Sequence, residues 1–501
     1  MPARHYALAV LPLAFLYACA AGPDPQSTGT GSASSGTASS SGGASGGEGG
    51  GGAGGSGGTG GVGGMGGGGA GGMGGGAALA AWSHAYPQLR PAHPLVHGSG
   101  EAVLVGFLPG PQDFGTGPVG AGGVNNVFVV KVGPKGETIW AKAFPANTSY
   151  AQVFATVSRA GHVVVVGDYW GELSFGAPLG CMNGPGMPDA FMAVLGQDGA
   201  PVYSRCFESP GVAQIFGAGV DGLGRVVIAG NFLVPNGTVA APVTPVQEGG
   251  LAMAAFTPTG QFAWSRSIIA PGASVSGLEV SASGDVLLHA NGSTIDLCGG
   301  CPLGNAGETN LFVAKYDAKG GNLWGRAIKI APPGPPAAAI WGAALDVAGN
   351  AVITGPLTGT IDVGTGPISE PLAGLFIAKY DASGKPMWVR HTGGGYFRAV
   401  ATDATDNLLL AGEILAGMDL GSGALTTAGG SDLLVAKLDP SGATLWAQTY
   451  GDKDAQAGFA IGAGDDGAPI VAGTFDGALD FGQGALPPGP TFLARLSPPS
   501  K

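Results

Sequence analysis

Charged side chains are scarce in this sequence. Asp, Glu, Lys and Arg make up 11% of its 501 residues, less than half of the roughly 25% usual in soluble domains. The 21 Lys and Arg residues are outnumbered by 33 Asp and Glu residues, which gives a net charge of −12. Because nucleic-acid binding needs clustered Lys and Arg to neutralise phosphates, this balance excludes a DNA or RNA partner.

Long hydrophobic runs and catalytic motifs are also missing. Beyond Phe15 no segment is long and apolar enough to cross a membrane as a helix. No His-Glu-x-x-His motif, nucleophile elbow or Walker loop occurs, and the histidines lack metal-ligand spacing. The Gly-x-Gly-x-x-Gly matches that lie beyond the Gly-rich segment, Gly115–Gly120, Gly217–Gly222 and Gly462–Gly467, are no more than chance gives in a chain with 99 glycines. These absences predict a protein without enzyme activity, cofactor or bound metal.

Cysteine is rare, with five residues in the chain. The pair Cys298-Gly-Gly-Cys301 lies in a loop whose glycines permit a tight turn, which predicts a local disulfide. Cys181 and Cys206 form a second candidate bridge that links a loop to the strand after it. A redox Cys-x-x-Cys motif is expected at a helix N-terminus in a βαβ unit, which the sequence does not predict here. A zinc site would need a second pair of ligands with suitable spacing, which Cys181 and Cys206 do not supply. Structural disulfides indicate an oxidising compartment.

The N-terminus has the features of a secretion signal. Residues 1–19 contain one positive charge, Arg4, and an apolar stretch from Ala7 to Phe15. They end in Leu16-Tyr17-Ala18-Cys19, which resembles a bacterial lipobox and predicts a lipid-modified Cys19. The absence of Asp after Cys19 favours the outer membrane by the same resemblance. The alternative is ordinary cleavage after Ala20, which would discard Cys19 and release a secreted protein.

Residues 20–80 predict a disordered linker. From Gln26 to about Gly76 the chain is almost wholly Gly, Ser, Ala and Thr, without hydrophobic periodicity. Such a segment spans about 40 Å root-mean-square. The linker would therefore hold the remainder of the chain, residues 81–501, clear of a membrane surface.

The remainder of the chain repeats one unit of about sixty residues. Each copy contains an aromatic anchor on a predicted strand: Trp82, Trp140, Tyr203, Trp264, Trp324, Trp388 and Trp446. Their regular spacing favours packing between repeats over sugar stacking. A β-unit repeated at this length predicts a closed ring of sheets.

Two further phrases recur in each repeat. One is a short apolar strand bounded by glycine, as in Gly349-Asn-Ala-Val-Ile-Thr-Gly355. The other resembles Phe-x-x-Lys-x-Asp-x-x-Gly, in which Asp and Gly favour a hairpin turn. Val194 and Ala255 replace its Lys in the second and third repeats.

These phrases resemble those of the bacterial β-propeller repeat (SBBP-type) proteins, a family whose members are often secreted or lipid-anchored. The best matches are Leu311–Gly320 running into Trp324, and Leu433–Gly442 running into Trp446. The resemblance covers roughly residues 82–501 and implies four-stranded blades without any particular activity. With the spacing of the anchors it predicts an all-β fold: a seven-bladed β-propeller of four-stranded blades, preceded by the Gly-rich linker.

The order of the phrases also predicts how the ring closes. The first repeat begins with the strand around Trp82, and the chain ends with a strand at Phe492–Leu496. We expect these two strands to pair, because the pairing removes an exposed sheet edge.

The predicted function is a non-catalytic binding or structural module, monomeric and tethered to the cell envelope. Its partner is an unknown envelope protein or glycan, and its only contact with the membrane is the lipid anchor. Trp170 and Trp341 fall outside the repeat of aromatic anchors and are the candidates for a ligand surface. Two alternatives remain: an enzyme acting in the central channel (a polysaccharide lyase, a hydrolase or a quinone-dependent dehydrogenase), or a carbohydrate-binding adhesin.

Overall fold

The structure is a computed structural model. It describes residues 79–497 apart from 87–92, 97–99, 109, 121–124, 148–151, 180–187, 208–212, 233–249, 271–272, 306 and 332–337. The described residues all belong to one compact unit, Gly66–Lys501. The predicted signal peptide, Cys19 and the linker up to residue 78 lie outside the described residues.

The described residues form β-strands and no helix. The first twelve are β1 Ala80–Tyr86, β2 His93–Val96, β3 Ala102–Leu108, β4 Gln112–Asp113, β5 Pro118–Val119, β6 Asn125–Val132, β7 Thr138–Asn147, β8 Gln152–Val157, β9 Val163–Tyr169, β10 Glu172–Leu173, β11 Asp189–Leu195 and β12 Pro201–Phe207. The next are β13 Ala213–Val220, β14 Val226–Phe232, β15 Gly250–Phe256, β16 Phe262–Ile269, β17 Ser274–Val280, β18 Val286–Gly292, β19 Thr294–Asp296, β20 Pro302–Gly304, β21 Asn310–Tyr316, β22 Asn322–Ala331, β23 Gly342–Leu345 and β24 Ala351–Asp362. The last are β25 Pro367–Tyr380, β26 Pro386–Gly393, β27 Gly395–Thr402, β28 Leu408–Ile414, β29 Met418–Asp419, β30 Ala424–Leu425, β31 Asp432–Leu438, β32 Thr444–Tyr450, β33 Gln456–Ala463, β34 Pro469–Phe475 and β35 Thr491–Leu496.

One antiparallel unit of four strands recurs along the chain. In chain order the units are β2-β3-β6-β7, β8-β9-β11-β12, β13-β14-β15-β16, β17-β18-β21-β22, β23-β24-β25-β26 and β27-β28-β31-β32, followed by β33-β34-β35-β1. The second strand of each unit corresponds to the buried, Gly-bounded phrase of the sequence, and the third strand corresponds to the Phe-x-x-Lys phrase. The fourth strand carries the aromatic anchor.

The first strands of successive units, which we call the inner strands, pack against one another. The contacts run β2–β8, β8–β13, β13–β17, β17–β23, β23–β27 and β27–β33, and β33 contacts β2 again. Strands that contact one another in a closed series surround a common axis. The units therefore have a propeller arrangement, and the predicted all-β class is confirmed.

The two ends of the described chain meet in one sheet. β1 pairs antiparallel with β35, so that Ala85 lies opposite Phe492 and Tyr86 opposite Thr491. The N-terminal strand is thereby the fourth strand of a sheet whose other three strands are C-terminal. The pairing predicted from the sequence is confirmed.

The aromatic anchors join each unit to the next. The indole N–H of Trp82 donates to Pro134 O at 2.8 Å, in the turn between β6 and β7. Trp140, Trp264, Trp324 and Trp388 donate to the corresponding turn of the unit that follows each of them. In the turns between the third and fourth strands, a glycine lies against the anchor ring of the preceding unit: Gly136, Gly199, Gly260, Gly320, Gly384 and Gly442. The structure thus supports packing between repeats as the role of these aromatic residues.

The recurring Lys has a structural role as well. Lys131, Lys315, Lys379 and Lys437, with Arg495 at the same position, form an ion pair with a carboxylate in the turn that follows the inner strand of their own unit. Each also donates to a backbone carbonyl of the next unit. In the unit where Ala255 replaces Lys, Arg225 pairs with Asp221 and bonds Ala318 O of the next unit.

Hairpins between the second and third strands cover the outer edges of neighbouring units. β10 pairs with β7, β19 with β16, and the distal part of β24 with β22. The Asp of the recurring Asp-Phe-Gly or Asp-Leu-Gly phrase accepts backbone N–H groups in these hairpins, as at Asp113 and Asp480. The hydrophobic residue that follows, such as Phe114 or Phe481, is buried. Covered edges protect the sheets from pairing with other chains.

In the described part of the chain, the structure contains no helix with the length and hydrophobicity needed to cross a lipid bilayer.

Candidate binding site on the inner strands

Six residues occupy corresponding positions near the start of the inner strands. Four of them bulge out of the strand ladder. Trp341 matches them by its distance from the glycine near the end of the second strand, and Phe154, on a strand without a bulge, follows the residue that pairs with that glycine. Arg398 lies 14 residues before Gly412 and Trp341 lies 14 before Gly355. We call this set the inner-strand ring: Phe154, Phe216, Ser276, Trp341, Arg398 and Phe459. All six side chains are partly exposed.

Arg398 connects three neighbouring units within this ring. Its guanidinium carbon lies 4.7 Å from the centroid of the Trp341 ring and 4.9 Å from that of Phe459. Tyr396, on the same strand as Arg398, meets Trp341 edge to face at 5.6 Å between ring centroids. A cation between two aromatic faces is held by their quadrupoles. In this half of the ring, Arg398 is therefore held between aromatic side chains of the two neighbouring units.

The charge of Arg398 is neutralised from within its own unit. Its Nε donates to Oε1 of Glu413 at 3.1 Å, and its Nη2 donates to the same oxygen. Glu413 directly follows Gly412 on β28 and is largely buried. The pair contributes polar groups to the ring without a net charge.

In other units, the residue that corresponds to Glu413 on the second strand lies in a second layer, behind the side chains of the inner strands. Asn291 donates its side-chain N–H to Ser276 Oγ at 2.9 Å. Asp168 is hydrogen-bonded to the side chain of Gln214 and the backbone of Gln152. Burial raises the pKa of Asp168 to about 7, against the lowering effect of these hydrogen bonds. These buried groups orient the more exposed polar side chains in front of them.

The same layer holds acceptor atoms without hydrogen-bond partners. They are the Oδ1 atoms of Asp168, Asn231 and Asn291, in three successive units. Unpaired buried acceptors are uncommon in proteins and often mark functional sites. They lie beneath the exposed surface, so they belong to the supporting layer of the site.

Glu279 stands alone further along β17. Its side chain is exposed, yet protein surrounds it closely, as expected on the wall of a narrow channel. This enclosure raises the pKa of Glu279 to about 8. On the neighbouring strand, burial lowers the pKa of His289 to about 4, so this imidazole is neutral near pH 7.

The sequence-predicted site residues have different outcomes. Trp341 belongs to the inner-strand ring, whereas Trp170 follows β9 and is not part of it. Cys298 and Cys301 form a disulfide with a Cα–Cα distance of 5.5 Å. Cys206 is disulfide-bonded on β12, but Cys181, its predicted partner, lies outside the described residues, as does Cys19.

Asp296 fixes the disulfide loop. Its Oδ1 accepts the backbone N–H groups of all four residues from Cys298 to Cys301. These hydrogen bonds, that of Gly300 first, lower the pKa of Asp296. The loop is therefore a folded turn held by a carboxylate and a disulfide.

Apart from Trp341, the members of the inner-strand ring were missed by sequence reasoning. The signal that reveals it is a constant spacing of 14 residues, which separates Phe216, Trp341, Arg398 and Phe459 from the glycine of the second strand and Ser276 from Ala290 at the same position. In the part of the chain that the structure describes, no three His, Cys, Asp or Glu side chains form a cluster suited to a metal ion.

A recess of about 470 Å³ lies elsewhere, at the junction of the two chain ends. Its walls include Trp82, Pro134, Asp466 and Arg495. These residues already bond one another across the seam. The recess is a by-product of closure and is not the candidate site.

Comparison with known proteins gives structural neighbours only. No model of a protein family and no curated protein matches the chain. Among solved structures, the Dos1 propeller is 11% identical with a TM-score of 0.41, over 84% of this chain and 95% of that one. A protein of unknown function from Dyadobacter fermentans is 12% identical with a TM-score of 0.39, over 84% and 99%. An ulvan lyase of family PL25 is 11% identical with a TM-score of 0.38, over 80% and 92%. Similarities at this level carry no argument about function.

Proposed function

We propose that this protein is a lipid-anchored component of the bacterial cell envelope whose seven-bladed propeller binds a ligand at the inner-strand ring without changing it chemically. The observation that carries the proposal is the contact of Arg398 with Trp341 and Phe459, which brings three units together at one partly exposed surface. A small number of oriented polar groups among aromatic side chains is typical of binding sites.

The count of seven blades is supported by three features. The four-strand unit recurs with the aromatic anchors, the inner strands contact one another in a closed series, and β1 completes the C-terminal sheet. The repeat phrases of the sequence support membership of the SBBP-type family.

A non-catalytic role is supported by the state of the ionisable groups. General acid–base catalysis needs two groups within reach of one substrate. Arg398 and Glu413 are bonded to each other, Asp168 lies beneath the surface, and His289 is buried. Glu279 is the one exposed acid that we find on the described part of the inner strands near the ring.

Glu279 also defines the alternative. A carboxyl with a pKa raised to about 8 is protonated at neutral pH and suits a general acid of a polysaccharide lyase or hydrolase. Turnover of a polysaccharide that is abolished by Glu279→Gln would replace the binding function with this enzymatic one.

The lipid anchor is supported by the Leu16–Cys19 motif and the Gly-rich linker that follows it. A tether of this composition leaves the propeller free to reach ligands at a distance from the membrane. The alternative is a secreted protein without Cys19.

The proposal is tested by measuring hydrogen–deuterium exchange of the protein with and without a fractionated envelope extract. A bound ligand should slow exchange in β13, β17, β23 and β27, and mass spectrometry should recover that ligand unchanged. The variant Phe459→Ala should show weaker protection. Protection confined to the fourth strands of the units would contradict the site, and chemical alteration of the ligand would contradict the non-catalytic role.

A further inference from the structure

We propose that the inner-strand ring binds a neutral glycan, whose sugar rings lie against the aromatic side chains while its hydroxyl groups bond Gln214, Ser276 and Arg398. This inference rests on the proposed binding function and names its ligand class. The experiment below separates failure of the ligand class from failure of the function.

The aromatic members of the ring suit sugar rings. One face of a pyranose carries mainly C–H groups and packs against the face of an aromatic ring, as other apolar groups do. Phe154, Phe216, Trp341 and Phe459 come from four units and are all partly exposed. Arg398 covers one face of Trp341 and one face of Phe459, so successive sugar units would lie against the remaining exposed parts of these four side chains.

The polar side chains at the ring are held in place before any ligand arrives: Ser276 and Arg398 of the ring itself, and Gln214, two residues before Phe216. Asp168 bonds Gln214, Asn291 bonds Ser276 Oγ at 2.9 Å, and Glu413 bonds Arg398. An amide, a hydroxyl and a guanidinium group with fixed orientation can exchange donor and acceptor roles with sugar hydroxyls. Because their orientation is already fixed, less conformational entropy is lost on binding.

The charge of the site selects a neutral ligand. The one cation of the ring, Arg398, is already paired with Glu413. Glu279, on the same strand as Ser276, supplies no positive charge, and the whole chain has a net charge of −12. An anionic polysaccharide would require an unpaired cation, and like charges repel across such a site.

Isothermal titration of the full-length protein tests this inference with four probes. Cellohexaose, mannohexaose and chitohexaose are the neutral hexasaccharides, and hexagalacturonate is the anionic control. We expect saturable binding of at least one neutral probe. Trp341→Ala and Ser276→Ala should each raise its Kd, about tenfold for Trp341→Ala, which corresponds to the loss of about 1.4 kcal/mol.

Trp170→Ala is the matched control, because Trp170 lies outside the ring, and it should leave the Kd unchanged. Circular dichroism shows whether Trp341→Ala still folds, and Ser276→Ala provides a smaller change at the same level. The inference is overturned if no neutral probe binds, if hexagalacturonate binds more tightly than the neutral probes, or if Trp170→Ala weakens binding while the ring variants do not. If extract peptides protect the inner strands and no probe binds, the binding function stands and the glycan class falls.

Discussion

Lys379 and Asp346 form an ion pair that is buried between two units of the propeller. Their charged atoms lie 2.9 Å apart, with 2% and 1% of the side chains exposed. Lys379 also donates to Pro440 O in the next unit. Burial raises the pKa of Asp346, but hydrogen bonds from Asn350 and Lys379 more than offset it, and the pKa lies below its ordinary value. The repeated Lys of the sequence is therefore a connector between units.

Lys379→Met should destabilise the protein, because it leaves the Asp346 carboxylate without its cation. We expect a loss of about 3 kcal/mol in the free energy of unfolding, near the lower end for a broken buried pair, since Asn350 still donates two hydrogen bonds to Asp346. Urea denaturation measures this loss. Lys329→Met removes an exposed Lys from its pair with Glu308 and should cause no measurable change. Equal effects of the two variants would show that burial of the pair is irrelevant.

Gly384→Ala should destabilise the protein through a clash with Trp324. The φ angle of Gly384 is +82°, and a methyl group there would lie 2.5 Å from Trp324 Cδ2. Backbone strain and steric overlap together should lower the free energy of unfolding by about 3 kcal/mol.

Gly307→Ala is the control for the backbone contribution. Gly307 has a φ of +85°, and no atom lies within 4 Å of the added methyl group. It should lose only about 1 kcal/mol. If Gly384→Ala is no worse than Gly307→Ala, the turn glycine does not serve the packing of the aromatic anchor.

The sequence predicts the repeat and its closure because both depend on local patterns that recur. The Asp-x-x-Gly phrase predicts a hairpin turn, and the structure adds that its glycine makes room for an indole, as at Gly384 and Trp324. The inner-strand ring is harder to predict, since its members differ in chemistry and four of them stand on bulges that break the alternation of the strand. The pairing of β19 with β16 is harder still, because so short a strand leaves no periodicity to detect.

Removal of β1 should open the propeller. Deleting Ala80–Tyr86 leaves β35 with an unpaired edge and removes the contact of Trp82 with Pro134. We expect the Tm to fall by on the order of 10 °C, measured by circular dichroism. Deleting residues 40–70 of the Gly-rich segment is the length control and should leave the Tm unchanged. If both deletions leave the same Tm, closure of the propeller does not depend on β1.

The stability conferred by Asp168 should depend on pH. Its pKa is raised from 3.8 to about 7 in the folded protein, because burial disfavours the charged form. The folded state therefore holds a proton that the unfolded state releases above pH 3.8. The contribution of Asp168 to the free energy of unfolding is therefore fully present below pH 3.8 and declines as the pH rises to about 7.

Asp168→Asn removes this titration and keeps the shape of the side chain. The free energy of unfolding of the wild type minus that of the variant should therefore decrease between pH 4 and pH 7, by up to about 4 kcal/mol at 1.36 kcal/mol per unit of pKa. Urea denaturation at several pH values measures the difference. Glu172→Gln, at an exposed carboxyl on β10, is the control and should show a flat difference. A flat difference for Asp168→Asn would mean that its carboxyl is ionised in the folded protein and pairs with a cation or with water.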